Sequence, residues 1–162
     1  MALPIRVSFF SLYIAVLAAV TTQAAEWRTF TVTRFGAIAD VPSGWSMDPP
    51  PVNNDGRVFR SPDRQAQIAI SGSFIAEDVA SALRDAASGV GVTYTRIGPN
   101  WSVASGLEGS RIFYRRSVIA CRNRIVNTVE ITYPQSQKQA YDSLVGHVSK
   151  SLHSARVSDE CR

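Results

Sequence analysis

Between residues 92 and 133, stretches rich in β-branched and aromatic side chains follow one another with only short Gly, Pro and Asn interruptions, and this run constrains the fold more than anything else in the chain. The stretches are 92–97, 101–103, 111–119 and 125–133, broken by Gly98-Pro99-Asn100 and by residues 106–109. Parallel neighbours need a crossover of roughly a dozen residues, which such turns cannot supply. The run therefore reads as antiparallel strands. In the last stretch Ile125, Val129, Ile131 and Tyr133 share a face opposite Thr128, Glu130 and Thr132, the pattern of a strand buried on one side. Pro134 ends it.

Upstream, Trp27, Thr29 and Thr31 alternate with Arg28, Phe30 and Val32, a strand signal, and residues 35–41 continue as a second extended piece ended by Pro42-Ser43-Gly44. Pro49-Pro50-Pro51 and Asn53-Asn54-Asp55-Gly56 make an irregular loop, because proline removes donors and the Asn-Asp-Gly cluster favours turns. Residues 57–60 and 66–72 are expected to pair as a hairpin around Ser61-Pro62-Asp63-Arg64, with Ile68 and Ile70 facing the core together. Val79, Ala82, Leu83, Ala86 and Ala87 fall at helical spacing, with Glu77 and Asp78 placed in the first turn and Gly89 available to end the helix. Tyr141, Leu144, Val145, Val148 and Leu152 form the apolar stripe of a longer helix over 135–152, followed by a polar tail, 154–162, that frays unless it is tied down. Strands, helix, strands, helix is the order of an α+β fold: a central, mostly antiparallel sheet flanked by two helices, in a single domain over 26–153.

Residues 1–25 have the layout of a secretory signal. Arg6 is the only charge before the apolar run 7–20, and Thr21, Thr22, Gln23, Ala24 and Ala25 then offer small residues at a cut site. That run of about 14 residues falls short of the roughly 20 that a membrane-crossing helix needs. Cleavage after Ala24 or Ala25 is expected to release a soluble periplasmic or secreted product with no transmembrane segment. The chain carries 17 Lys and Arg against 13 Asp and Glu, a mildly basic balance without the concentrated face that nucleic acid requires. Its two cysteines are Cys121 and Cys161. In an oxidising compartment an even pair usually bonds, and closing a loop of about 40 residues would stabilise the fold by about 3–4 kcal/mol and anchor the tail. Free thiols, or thiolates holding a metal, are the alternatives.

The chemistry-bearing residues are sparse. His147 and His153, six apart on the expected second helix, would lie about 120° apart around its axis and cannot grip one metal. They read as boundary and surface histidines. A Cys-His nucleophile would need Cys121 unbonded and near His147. Residues 51–62 echo a calcium loop at Asn53, Asp55 and Gly56, but Pro51 occupies the first ligand position and Pro62 the place of the bidentate Glu, so a plain turn is expected, with no metal and no cofactor. Arg111, Arg115, Arg116, Arg122 and Arg124 are the densest like-charge cluster, on a strand-loop-strand segment whose tip is near Cys121. Guanidinium forks suit carboxylates and phosphates, so this edge is the candidate site for an anionic partner: a lipid head group, a glycan acid or an acidic protein face. The plainer role is protection of a sheet edge. Trp45 and Trp101 sit beside Gly/Pro turns, either plugging the core or lining a groove.

Val41-Pro42-Ser43-Gly44-Trp45, Asp55-Gly56 followed by Phe59 and Ser61-Pro62-Asp63, Gly109-Ser110-Arg111-Ile112-Phe113-Tyr114, and Ile131-Thr132-Tyr133-Pro134 before a terminal helix together resemble small exported bacterial proteins of the Mog1/PsbP-like superfamily. The likeness spans residues 30–152 and rests on turn and core positions. It implies an α/β/α sandwich with no shared catalytic centre, and it carries over no functional residue. The function expected is that of an exported, non-catalytic accessory or partner-binding protein of the bacterial cell envelope. The rivals are a small secreted hydrolase using the loop carboxylates Asp55 and Asp63, and a peripheral binder of anionic membrane.

Overall fold

The computed structural model describes residues 26–155 and Cys161; the leader expected at 1–25 lies outside the described residues. In chain order the elements are β1 (Trp27–Val32), β2 (Ala37–Pro42), β3 (Ser46–Met47), β4 (Gly56–Arg60), β5 (Gln67–Phe74), α1 (Val79–Ala86), β6 (Val92–Ile97), β7 (Trp101–Glu108), β8 (Arg111–Ala120), β9 (Ile125–Pro134), a 3-10 turn (Gln135–Gln137), α2 (Lys138–Ser151) and β10 (His153–Ser154). A seven-stranded sheet has the order β3-β4-β5-β9-β8-β7-β6, and a three-stranded sheet the order β1-β2-β10. Every pairing is antiparallel.

Register decides which side chains share a face. Ile68 lies opposite Ile131 and Ile70 opposite Val129, and all four are fully buried. They pack with Ala37, Ala39 and Val41 of β2 and with Val145, Val148 and Leu152 of and after α2. Burying each such aliphatic side chain stabilises the fold by about 2 kcal/mol. One position along, Arg115 lies opposite Glu130 on the other face, where α1 packs over β7 and β8 and buries Leu83. The helices thus cover opposite faces of the larger sheet, and the smaller sheet lies on the α2 side. This α+β sandwich is the expected architecture.

Several local expectations are corrected. Asp78 is the N-cap of α1, accepting from Ser81 N–H at 3.0 Å, so the first turn holds no acid. The helix ends at Ala86, before Gly89, whose φ of 134° no other residue adopts comfortably. The break expected at residues 106–109 narrows to a turn at Gly109-Ser110: β7 runs through Gly106 to Glu108. A Cβ on Gly106 would lie 1.9 Å from the Gly91 carbonyl oxygen, so glycine permits that close approach. Residues 135–137 are a 3-10 turn, and α2 begins only at Lys138.

His153 is not helical. Leu152 is extended, and His153 and Ser154 pair with Ile38 and Ala37 of β2 while Ala155 N–H donates to Gly36 O. The start of the tail is therefore hydrogen-bonded rather than frayed. Cys121 and Cys161 are joined in a disulfide.

Candidate functional site

Trp101 opens β7 directly after the turn Gly98-Pro99-Asn100, and its indole folds back against Gly98, where a Cβ would meet Nε1 at 2.3 Å. Unlike Trp45, which is buried in the core, Trp101 stays partly exposed. The turn fixes the register of β6 on β7, so Arg96 lies opposite Val103, and Val103 in turn lies opposite Arg116 of β8. Arg96, Val103 and Arg116 thus form a row across three strands. Both guanidinium carbons sit over the Trp101 ring, each 5.8 Å from its centroid. Such stacking holds a cation in place without neutralising it.

Neither arginine has a carboxylate within ion-pair distance among the described residues. Arg116 Nε is moreover buried without a hydrogen-bond partner. Their neighbours on this face, Tyr94, Ser105, Tyr114 and Val118, are uncharged. Two guanidinium groups thus share one indole, and neither has a carboxylate partner among the described residues.

The five arginines singled out from sequence do not form one patch. Arg111, at the start of β8, donates to Thr132 O at 3.3 Å, on the order of 30 Å from the far end of that ten-residue strand. Arg115 points to the α1 face, bonded to Glu130 at 2.6 Å and to the Ala86 and Ser88 carbonyls at 3.1 Å each. Arg116 points to the opposite face. Arg122 and Arg124 lie in the β8–β9 turn, where Cys121, Arg122 and Asn123 have φ values of 50°, 50° and 67°. Sequence reading missed Arg96, which is twenty residues from Arg116. The one available signal was the Gly98-Pro99-Asn100 turn, whose length sets the register.

The remaining candidates are held by structural bonds. His147 Nε2 donates to Asp40 at 2.9 Å and its ring stacks on Trp27 at 3.9 Å, clasping α2 to the small sheet. His153 Nδ1 donates to Ser151 O. Asp55 accepts from Asn53, and Asp63 from Ser61 Oγ and Gln65 N–H. These bonds hold the Asp63 carboxyl below the ordinary carboxylate value, that from Ser61 most strongly. Asp55 and Asp63 flank β4 at its two ends, on the order of 17 Å apart. A cleft of about 420 Å³ between α1 and the sheet is lined by Ser71, Ser73, Thr128 and Arg115, with Glu77 and Asp85 also lining it. Glu77 precedes the Asp78 N-cap and Asp85 lies in the last turn of α1, so the two acids belong to opposite ends of the helix.

No protein-family model and no curated protein matches the chain. Among solved structures, cyanobacterial PsbP (CyanoP) from Synechocystis sp. PCC 6803 superposes with a TM-score of 0.62 at 14% identity, covering 86% of this chain and 99% of its own. The Saccharomyces cerevisiae Ran-binding protein Mog1p superposes with a TM-score of 0.54 at 8% identity, covering 81% and 96%. By superposition, the chain has the Mog1/PsbP-like fold.

Proposed function

We propose that this chain is a non-catalytic binding protein of the bacterial cell envelope that recognises an anionic partner on the face carrying Arg96, Trp101 and Arg116. The observation that carries the reading is the pair of guanidinium groups stacked on one indole with no carboxylate partner among the described residues. The similar yeast protein is named as Ran-binding, and a binding role on this fold is consistent with it. Export is supported by the signal-like leader and by the disulfide, which belongs to oxidising compartments. The wide separation of the loop carboxylates weighs against the hydrolase reading.

The test is an NMR titration with a short oligo-aspartate peptide at low ionic strength, following the Trp101 indole N–H. A saturable shift is expected, abolished in the Arg96→Gln/Arg116→Gln double variant while the rest of the amide spectrum is retained. Equal binding by the double variant, or no response in the unaltered protein, would overturn the proposal.

A further inference from the structure

The site adjoins the open edge of the larger sheet. β6 is its terminal strand, hydrogen-bonded to β7 alone, and five of its six residues are exposed. The opposite edge, β3, is only two residues long. Gly98 N–H donates to the Trp101 carbonyl at 2.8 Å, and inward-bonded residues alternate along an antiparallel ladder. Arg96 is then the next residue bonded to β7, and Thr95 and Ile97 direct their N–H and C=O groups away from the sheet. A register shift between Val92 and Tyr94 limits the regular edge to residues 94–97. Tyr94 is 52% and Ile97 47% exposed, large apolar groups on a strand whose one charge is Arg96.

We propose, resting on the binding role above, that the anionic partner is an extended acidic polypeptide segment that adds to this edge as a further strand. The added strand would continue the row Arg116–Val103–Arg96, placing its next residue about 4.8 Å beyond Arg96. A directly opposed pair of unlike charges on one face is favourable and a like pair is not, so that residue is an Asp or Glu. The residue two positions along, on the same face, covers Tyr94 and is apolar or aromatic. Backbone bonding to Thr95 and Ile97 supplies affinity, and the acid-to-Tyr94 spacing supplies selectivity. Arg96 touches the partner directly. Arg116, on β8 and so three strand spacings from the added strand at roughly 14 Å, acts only through its field, beyond one Debye length at moderate salt.

The experiment uses the whole protein and a six-residue peptide of alternating Asp and Val, with oligo-aspartate and anionic lipid vesicles for comparison. Slowed amide exchange at Thr95 and Ile97 is expected on adding the alternating peptide. N-methylation of the peptide amides facing β6 should weaken binding about tenfold per hydrogen bond lost, and N-methylation of the interleaved amides should not. Arg96→Gln should cost more affinity than Arg116→Gln, and the residual loss from Arg116→Gln should disappear with added salt. Binding of oligo-aspartate with Thr95 and Ile97 unprotected, or equal losses from the two variants, would overturn edge addition while leaving the anionic site intact. Binding to vesicles but not to peptides, or protection of Thr95 and Ile97 by self-association without peptide, would also overturn it. Failure of every anionic probe would instead remove the binding role itself.

Discussion

At Asp40 one carboxylate joins β1, β2 and α2. It accepts from Thr29 Oγ1 at 2.8 Å and His147 Nε2 at 2.9 Å, while its backbone N–H donates to Ser151 Oγ at 2.9 Å. The Thr29 bond, opposed by partial burial and reinforced by the bond and charge of His147 and the charge of His153, holds the carboxyl below its ordinary 3.8. A carboxyl lowered in the folded state stabilises fully above its unfolded value, and that stabilisation disappears as pH falls through the folded one. Asp40→Asn should therefore cost about 1 kcal/mol near neutrality, with the gap to the unaltered protein closing in strong acid. Urea midpoints for both proteins across this range are the measurement, and a pH-independent gap would refute the linkage. Asn127 is a second residue of this kind, fully buried and donating to Phe35 O at 3.2 Å and Ser154 Oγ at 2.7 Å. Asn127→Ala strands the Phe35 carbonyl and should destabilise by about 2–3 kcal/mol in the same assay.

At the scale of elements, the antiparallel run from β6 to β9 was legible because alternation and turn residues agree over forty residues. β3 and β10 were not, since two-residue strands carry no periodicity and exist only because a partner backbone waits beside them. The buried amide of Asn127 was hidden for a related reason: its partners, Phe35 and Ser154, come from distant segments. The proposed site was half legible, because a charge count finds Arg116, but only the β6–β7 register brings Arg96 to it, and only the β8–β9 register sets Arg115 opposite Glu130. Gly106 shows how an apparent strand breaker serves a strand. Gly91 O accepts from Leu107 N–H at 2.9 Å, directly beside it. Gly106→Ala drives a methyl into that carbonyl and should cost about 1–3 kcal/mol, with amide protection lost first at Leu107 and along β6. Uniform loss of protection across the sheet would contradict this local account.

For the molecule as a whole, the disulfide closes a span of 40 residues containing β9, α2 and β10, from the tip of the β8–β9 turn to Cys161. The strands and helices it encloses make their own contacts: β9 sits between β5 and β8, and α2 packs on β2 and β9. The cross-link is therefore not needed to define the native arrangement, and its main effect falls on the unfolded chain, whose loop entropy it removes. Replacing both cysteines, as Cys121→Ser with Cys161→Ser, should lower the unfolding free energy by about 3–4 kcal/mol and the thermal midpoint by roughly 10 °C or more. Native amide shifts away from residues 121–124 and the C-terminus should be unchanged. Binding to the Arg96 face should persist as well, because β6 and β7 lie outside the closed loop. Calorimetry of the two proteins, alongside the peptide titration, separates the contributions. An unchanged midpoint would show that the bond does not constrain the unfolded chain, and lost peptide binding would show that the tip and the β6 edge are coupled through β8.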